Sequence, residues 1–142
     1  MEKPDQIPTS AATLTIQPVD HASLVLIYGK ESIYVDPVGG AARYKTLSAP
    51  TAILITHEHG DHFDTATLEE LVGNRGLPMV VSQGVYGKLS DTLKKNAKAV
   101  NYGESASLNG IPVKVVEAYN TTADRQRYHP KGLGNGYVLT FG

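Results

Sequence analysis

The chain has 142 residues, a length typical of one domain. Apolar residues make up 41% of it, which excludes a disordered chain, and 13 Lys and Arg against 14 Asp and Glu give a net charge of −1. The near-neutral charge disfavours nucleic-acid binding, and the absence of cysteine excludes disulfides, thiolate metal sites and cysteine nucleophiles. No apolar run is long enough to span a bilayer. We therefore expect a cytoplasmic protein of a single domain, residues 1–142, that binds neither nucleic acid nor membrane.

Short apolar runs between frequent glycines and prolines predict eight β-strands. These strands cover residues 12–17, 23–28, 32–35, 51–55, 79–82, 98–102, 112–119 and 136–141. Helical spacing of apolar residues predicts two helices, residues 64–72, with Asp64 as the capping residue, and residues 83–96. Many strands and few helices favour a layered α/β or α+β domain.

The most specific feature is a histidine-rich segment between the fourth predicted strand and the first predicted helix. It places His57, His59, Asp61 and His62 within six residues and contains three of the five histidines of the chain. Residues two apart in an extended segment face the same way, so His57 and His59 can converge on one ion. Gly60 permits a turn that brings Asp61 and His62 back towards them. Four ligands within six residues fit two adjacent divalent ions better than one.

The ligand types restrict the metal without identifying it. Imidazole and carboxylate donors suit zinc, manganese, iron or nickel, and we expect one or two such ions. A histidine-rich surface loop and a closed structural zinc site are the alternatives. The rarity of the pattern disfavours the loop, and the lack of cysteine disfavours the structural site. Glu58 lies between two candidate ligands, so we expect its side chain to face solvent.

The pattern His57-x-His59-x-Asp61-His62, after a strand and before a helix, resembles the signature of the metallo-β-lactamase superfamily. The predicted strand that ends at Asp36 is similar to an earlier strand of that superfamily. The stretch that begins at His21 resembles one branch, the metal-dependent hydrolases similar to ascorbate-6-phosphate lactonase. The resemblance covers residues 14–141. It implies a fold of two β-sheets packed face to face with helices outside.

The resemblance also implies a role for each matched residue. His57 and His59 would hold a first metal ion, and Asp61 and His62 would hold a second. Asp36 would orient the metal-binding segment by hydrogen bonds, and His21 would support the ligands in the same way.

The sequence departs from the superfamily pattern in two places. Asn120 lies where a third histidine motif is expected, and His129, nine residues later, can replace that ligand if the loop folds back; we favour His129, with Asn120 beside it. The superfamily continues with a metal-bridging aspartate and a final histidine, whereas this sequence ends at Gly142. We therefore expect an N-terminal part of a longer protein, whose open inner sheet face is covered by a second copy or by a C-terminal half.

The function implied by the resemblance is metal-dependent hydrolysis. A metal-bound hydroxide would attack a small anionic ester, lactone or phosphoester, and Asp61 would hold or accept the proton of the water. Residues 121–136 contain Arg125, Arg127 and Lys131, which we expect to hold the anionic group, although a mobile surface loop is an alternative. A non-catalytic metal-binding or interaction module is the second hypothesis, because the C-terminal ligands are absent. Nucleic-acid processing is disfavoured by the charge.

Overall fold

A seven-stranded sheet forms the larger layer of the fold in the computed structural model, which describes all 142 residues. Its strands lie side by side in chain order: β1 Asp5–Pro8, β2 Thr13–Asp20, β3 Ser23–Tyr28, β4 Glu31–Val35, β5 Ala52–Ile55, β6 Met79–Val81 and β7 Ala97–Ala99. Strands β1 to β4 are antiparallel, and β4 to β7 are parallel. The parallel part needs crossover connections, and the helices lie in them.

The second layer is a three-stranded antiparallel sheet in the order β10, β9, β8. Its strands are β8 Ser105–Leu108, β9 Ile111–Ala118 and β10 Gly134–Leu139. The helices are α1 Thr65–Val72, α2 Gln83–Lys88 and α3 Asp91–Lys94, with a 3₁₀ turn at Ala41–Tyr44. None of these helices has the length and apolar character needed to cross a membrane. The predicted architecture of two sheets with outer helices is confirmed.

Alternate residues of the parallel strands build two separate cores. Tyr34, Ile53 and Met79 belong to the core that includes the buried residues of the helices. Ile33, Leu54 and Val80 belong to a second core together with the buried residues of the smaller sheet: Leu108, Ile111, Val113 and Val115. All four residues of β5 are buried, as expected for a parallel strand covered on both faces.

The second core corrects one expectation. The inner face of the larger sheet is not open, because the smaller sheet of the same chain covers it: Ile33 is 1% exposed, Leu54 2% and Val80 2%. An uncovered inner face therefore gives no reason to expect a partner.

The strand predictions are confirmed within a few residues, with two omissions. β1 is a short polar strand, exposed throughout, and β8 has the weak strand sequence Ser-Ala-Ser-Leu, so neither gave an apolar signal. The single predicted helix over residues 83–96 is wrong. The chain leaves the helical conformation at Leu89, and Ser90 then caps α3 by accepting a hydrogen bond from the Leu93 amide.

The parallel pairing of β4 with β5 positions the candidate site. Val35 lies opposite Leu54 in the register, so Asp36 and Thr56 leave the sheet at the same edge. This is the carboxyl end of the parallel strands, the edge at which open α/β sheets bind ligands. The histidine-rich segment begins at this edge.

Leu54→Ala tests the two-sheet core. Removing a fully buried side chain leaves a cavity between the sheets, so the free energy of unfolding should fall by about 2–5 kcal/mol. Val138→Ala is the matched control, because Val138 is 52% exposed, and its cost should stay within about 0.5 kcal/mol. Urea denaturation of both variants gives the comparison. Equal costs would mean that the smaller sheet does not cover this face.

Candidate metal centre

Two local hydrogen-bonding devices shape the histidine-rich segment between β5 and α1. The carbonyl oxygen of His59 accepts hydrogen bonds from the amides of His62 and Phe63, both at 2.8 Å, and this closes a tight turn. Asp64 then caps α1, as predicted, by accepting a hydrogen bond from the amide of Ala66. Gly60 does not adopt a left-handed conformation. The turn therefore depends on the His59 carbonyl rather than on glycine.

A first group of ligand atoms is formed by His57, His59 and His129. One ligand atom from each side chain lies within 4.8 Å of the others. The ring centroids of His57 and His59 are 4.6 Å apart, and His129 lies 5.1 Å from the first and 4.8 Å from the second. His129 lies in the connection between β9 and β10. This loop therefore folds back towards His57 and His59, which is the condition for His129 to act as a ligand.

A second group is formed by His21, Asp61 and His62, whose ligand atoms also lie within 4.8 Å of one another. Nε2 of His21 lies 2.9 Å from Oδ2 of Asp61, and Nε2 of His62 lies 3.8 Å from the same oxygen. The rings of His57 and His62 have centroids 4.1 Å apart, so the two groups adjoin. The geometry brings the sequence-predicted ligands together in two adjoining sets.

Asp36 is the buried carboxylate that connects the two groups. Its Oδ1 accepts a hydrogen bond from the amide of Thr56 at 2.8 Å, and its Oδ2 accepts one from the Thr56 hydroxyl at 2.7 Å. The same Oδ2 lies 2.7 Å from Nδ1 of His62. Burial raises the pKa of Asp36, and the hydrogen bonds from Thr56 and His62 oppose that rise.

These contacts determine which nitrogen of each imidazole carries the proton. The Thr56 hydroxyl donates to Asp36, so the Nδ1 of His57, 2.9 Å from that hydroxyl, must donate to it. Likewise Nδ1 of His62 donates to Asp36, and in both rings Nε2 keeps its lone pair. Sequence analysis missed Thr56, because its hydroxyl has no pattern of its own until β4 and β5 pair.

Nε2 of His57 is buried and has no hydrogen-bond partner. Burial, followed by the neighbouring imidazoles, lowers the pKa of His57 to about 4, so the ring is neutral at pH 7. A buried nitrogen lone pair that accepts no hydrogen bond lowers the stability of the fold unless a cation binds to it. Together with His59 and His129 it matches the chemistry of a site for a divalent ion such as zinc.

Backbone strain is concentrated at the second group. Among residues other than glycine, only His21, Asp36 and Asn109 have positive φ, at 49°, 45° and 50°. Asn109 is explained by the Asn-Gly turn between β8 and β9. His21 opens the two-residue turn between β2 and β3, where hairpins also favour positive φ. Asp36, whose carboxylate contacts His62, follows the end of β4 outside any hairpin turn. Such strain is typical of positions at which a side chain has to be aimed.

Asn120 lies beside His129 and makes hydrogen bonds to it. The amide nitrogen of its side chain lies 3.2 Å from Nδ1 of His129, and its backbone amide donates to the His129 carbonyl at 3.0 Å. At the other end of the loop, the Tyr102 hydroxyl donates to the Gly134 carbonyl and accepts from the Gly132 amide, both at 2.9 Å. Tyr102, which the sequence analysis did not identify, therefore closes the loop that carries His129.

The three cations assigned to the substrate lie in different surroundings. Arg127 lines a pocket of about 150 Å³ beside the three histidines, and its guanidinium lies 4.8 Å from the ring centre of Tyr128. Arg125 lies on a neighbouring recess away from His57 and His59. Lys131 forms an ion pair with Glu117 at 3.1 Å, which raises the pKa of Lys131. Of the three, only Arg127 lines the pocket that contains His57 and His59.

The expectation that Glu58 faces solvent is wrong. One of its carboxylate oxygens, Oε2, is buried and has no hydrogen-bond partner, and it lies beside Gly84 in α2. The side chain does turn away from the neighbouring ligands, but it turns towards a helix.

Comparison with known sequences places residues 15–142 within the profile of the β-lactamase superfamily domain. A metal-dependent hydrolase of Cereibacter sphaeroides is 31% identical over 102 residues, which are 68% of this chain and 42% of the relative. A metal-dependent hydrolase of Thermoplasma acidophilum is 31% identical over 129 residues, 86% of this chain and 54% of the relative. The chain spans about half the length of the curated relatives it matches.

Two solved structures are informative. A protein of Parabacteroides distasonis, assigned as a metal-dependent hydrolase, has a TM-score of 0.83 and 34% identity, covering 98% of this chain and 61% of that one. CmlA of Streptomyces venezuelae, a diiron β-hydroxylase, has a TM-score of 0.71 and 22% identity. The match covers 96% of this chain and 29% of the CmlA chain. The second likeness concerns the fold alone, and it places an oxidative enzyme on the same scaffold.

Asp36→Asn tests the hydrogen-bond network. The amide NH₂ would face the Thr56 hydroxyl and His62, so both His57 and His62 would have to accept at Nδ1 and carry their proton on Nε2. Divalent metal affinity at both groups should fall about 10–100-fold. Asp20→Asn is the matched control, because Asp20 pairs with Arg43 outside both groups. Calorimetric zinc titration measures the change; wild-type affinity in Asp36→Asn would contradict the proton assignment.

Proposed function

The chain belongs to the β-lactamase superfamily domain family, and on that premise we propose that it is the metal-binding portion of a hydrolase that acts on small anionic substrates. The observation that carries the proposal is the buried, unpartnered Nε2 of His57, beside His59 and His129. The named relatives are metal-dependent hydrolases, which supports the same reaction class.

The two groups of donors define where metal would be held. His57, His59 and His129 form the three-histidine group, and Asp61 and His62, supported by His21, form the adjoining one. A divalent ion in such a site supplies Lewis-acid chemistry, since it activates water and polarises the carbonyl or phosphoryl oxygen of a substrate. Zinc, manganese, iron and nickel all suit these donors.

Asp61 is the residue that we assign to proton handling. Its carboxylate is half exposed and accepts a hydrogen bond from His21 at Oδ2. Burial raises the pKa of Asp61, but its own backbone amide, His62 and His21 outweigh that, and the net pKa lies below the usual range. The carboxylate is therefore ionised at neutral pH and can hold the proton of an attacking water.

Arg127 is the residue that we assign to substrate binding. Arg127 lines the pocket beside the three histidines. The lining of the same pocket also includes the apolar residues Ala118, Pro130 and Leu133. A guanidinium beside an apolar wall fits a substrate with one anionic group and a hydrocarbon portion. Arg125 and Lys131 are weaker candidates, because Arg125 lines a neighbouring recess that includes His129 but neither His57 nor His59, and Lys131 is paired with Glu117.

Hydrolysis of matched p-nitrophenyl esters tests the proposal. The metal-loaded chain should hydrolyse an ester with a carboxylate-terminated acyl chain, such as p-nitrophenyl hemisuccinate, and a chelator should abolish the turnover. Arg127→Gln should raise KM for this ester about tenfold, equivalent to about 1.4 kcal/mol, with little effect on p-nitrophenyl butyrate. Arg125→Gln is the matched control and should leave both KM values unchanged.

If the chain binds metal but hydrolyses neither the esters nor a phosphoester, the proposed hydrolase function is contradicted. The second candidate function, a metal-binding or interaction module without catalysis, would then be favoured.

A further inference from the structure

Two unfavourable features meet directly behind the three-histidine group. One is Oε2 of Glu58, a carboxylate oxygen that is buried without a hydrogen-bond partner. The other is Gly84, in the first turn of α2, whose backbone has no left-handed φ and therefore does not itself require glycine. Local costs that coincide at one point usually indicate a functional requirement at that point.

The two features explain each other sterically. A Cβ atom at position 84 would lie 1.7 Å from Oε2 and 2.9 Å from Cδ of Glu58, both far inside van der Waals contact. The absence of a side chain at Gly84 therefore creates the recess that the Glu58 carboxylate fills. Gly87, one turn later in the same helix, has no atom within 4 Å of its would-be Cβ, so the requirement for space is confined to Gly84.

The helix that provides the recess is firmly attached. Ser82 caps α2 by accepting a hydrogen bond from the Val85 amide, and Val85 is fully buried in the core beneath the helices. The preceding strand, β6, pairs with β5, from whose end the histidine-rich segment departs. A side chain seated in this helix is therefore held against the main body of the protein.

Because Glu58 lies against α2, it can hold the two candidate ligands on either side of it, His57 and His59, in place relative to that helix. His57 and His59 turn their rings together, 4.6 Å apart, while the Glu58 side chain between them points into the recess. Because Glu58 is covalently joined to both histidines, fixing its side chain restricts the directions that the two neighbouring rings can take.

We propose that Glu58, seated in the recess at Gly84, is a positioning residue that aims His57 and His59 at His129. The proposal rests on the metal-binding function proposed above, and it adds a requirement that the pattern of ligand residues does not contain. It assigns Glu58 a role through shape and seating rather than as a ligand, since Glu58 belongs to neither group of ligand atoms.

Alanine substitutions at the two glycines of α2 provide a matched test. In Gly84→Ala the carboxylate end of Glu58 has to leave its present position. If that position aims the two histidines, the affinity for the first equivalent of Co²⁺, measured by titration with its absorption spectrum, should fall about tenfold. Gly87→Ala should remain within twofold of the wild type. Glu58→Ala should match Gly84→Ala, and adding Gly84→Ala to Glu58→Ala should cause no further loss, because the collision is gone. Glu58→Gln, which has the same shape, should restore most of the affinity.

The outcomes separate this inference from the function on which it rests. Wild-type chain that binds no Co²⁺ would overturn the proposed function, and the positioning role is then judged in the metal-free protein. There, ¹⁵N-edited NMR of the imidazole rings should show shifted His57 and His59 signals in Gly84→Ala and Glu58→Ala but not in Gly87→Ala. Equal behaviour of the two glycine variants, or failure of Glu58→Gln to restore affinity, would overturn the positioning role. Circular dichroism verifies that each variant is folded.

Discussion

A single buried carboxylate, Asp36, is the constraint on which the arrangement of the candidate metal centre depends. It accepts three hydrogen bonds from two residues that follow β5, and through Thr56 and His62 it reaches one member of each ligand group. The residue adopts a φ of 45°, which is unfavourable outside glycine, and its burial raises its pKa. Both costs are offset by the donors that converge on it. Because hydrogen bonding to the carboxylate fixes the imidazole protons at Nδ1, it leaves the Nε2 lone pairs of His57 and His62 free for a cation.

The surrounding fold explains how one carboxylate comes to control both groups. Parallel pairing of β4 with β5 brings the ends of two strands, separated by about twenty residues of chain, to the same edge. The sheet at this edge is buried on both faces, so the strands have little freedom to shift their register. The remaining ligand, His129, is carried by a long loop whose ends are held by Asn120 and Tyr102. The site therefore combines a rigid part, from the sheet edge, with one ligand whose position depends on side-chain contacts of a loop.

Local patterns in the sequence predicted the parts of this arrangement that are encoded locally. The spacing of His57 to His62, the capping by Asp64 and the strand that precedes the motif are properties of neighbouring residues, and the structure agrees with them. The sequence favours His129 over Asn120 as the third ligand, but it leaves open whether the loop folds back. Thr56, Tyr102 and the seat of Glu58 against Gly84 were not foreseen, because each depends on a contact between segments that are distant in sequence. The same limit explains why the smaller sheet was not expected to cover the larger one. Membership of the family is settled, whereas the reaction is not fixed by the fold, since a diiron β-hydroxylase has a similar one.

The measurement that tests the account most directly is zinc X-ray absorption spectroscopy of the chain loaded with one equivalent of metal. The account predicts about three imidazole nitrogens at about 2.0 Å from zinc, with the multiple-scattering pattern of histidine, and the loss of one imidazole in His129→Ala. Coordination dominated by oxygen, or a spectrum unchanged in His129→Ala, would contradict the assignment of His57, His59 and His129 as one metal site.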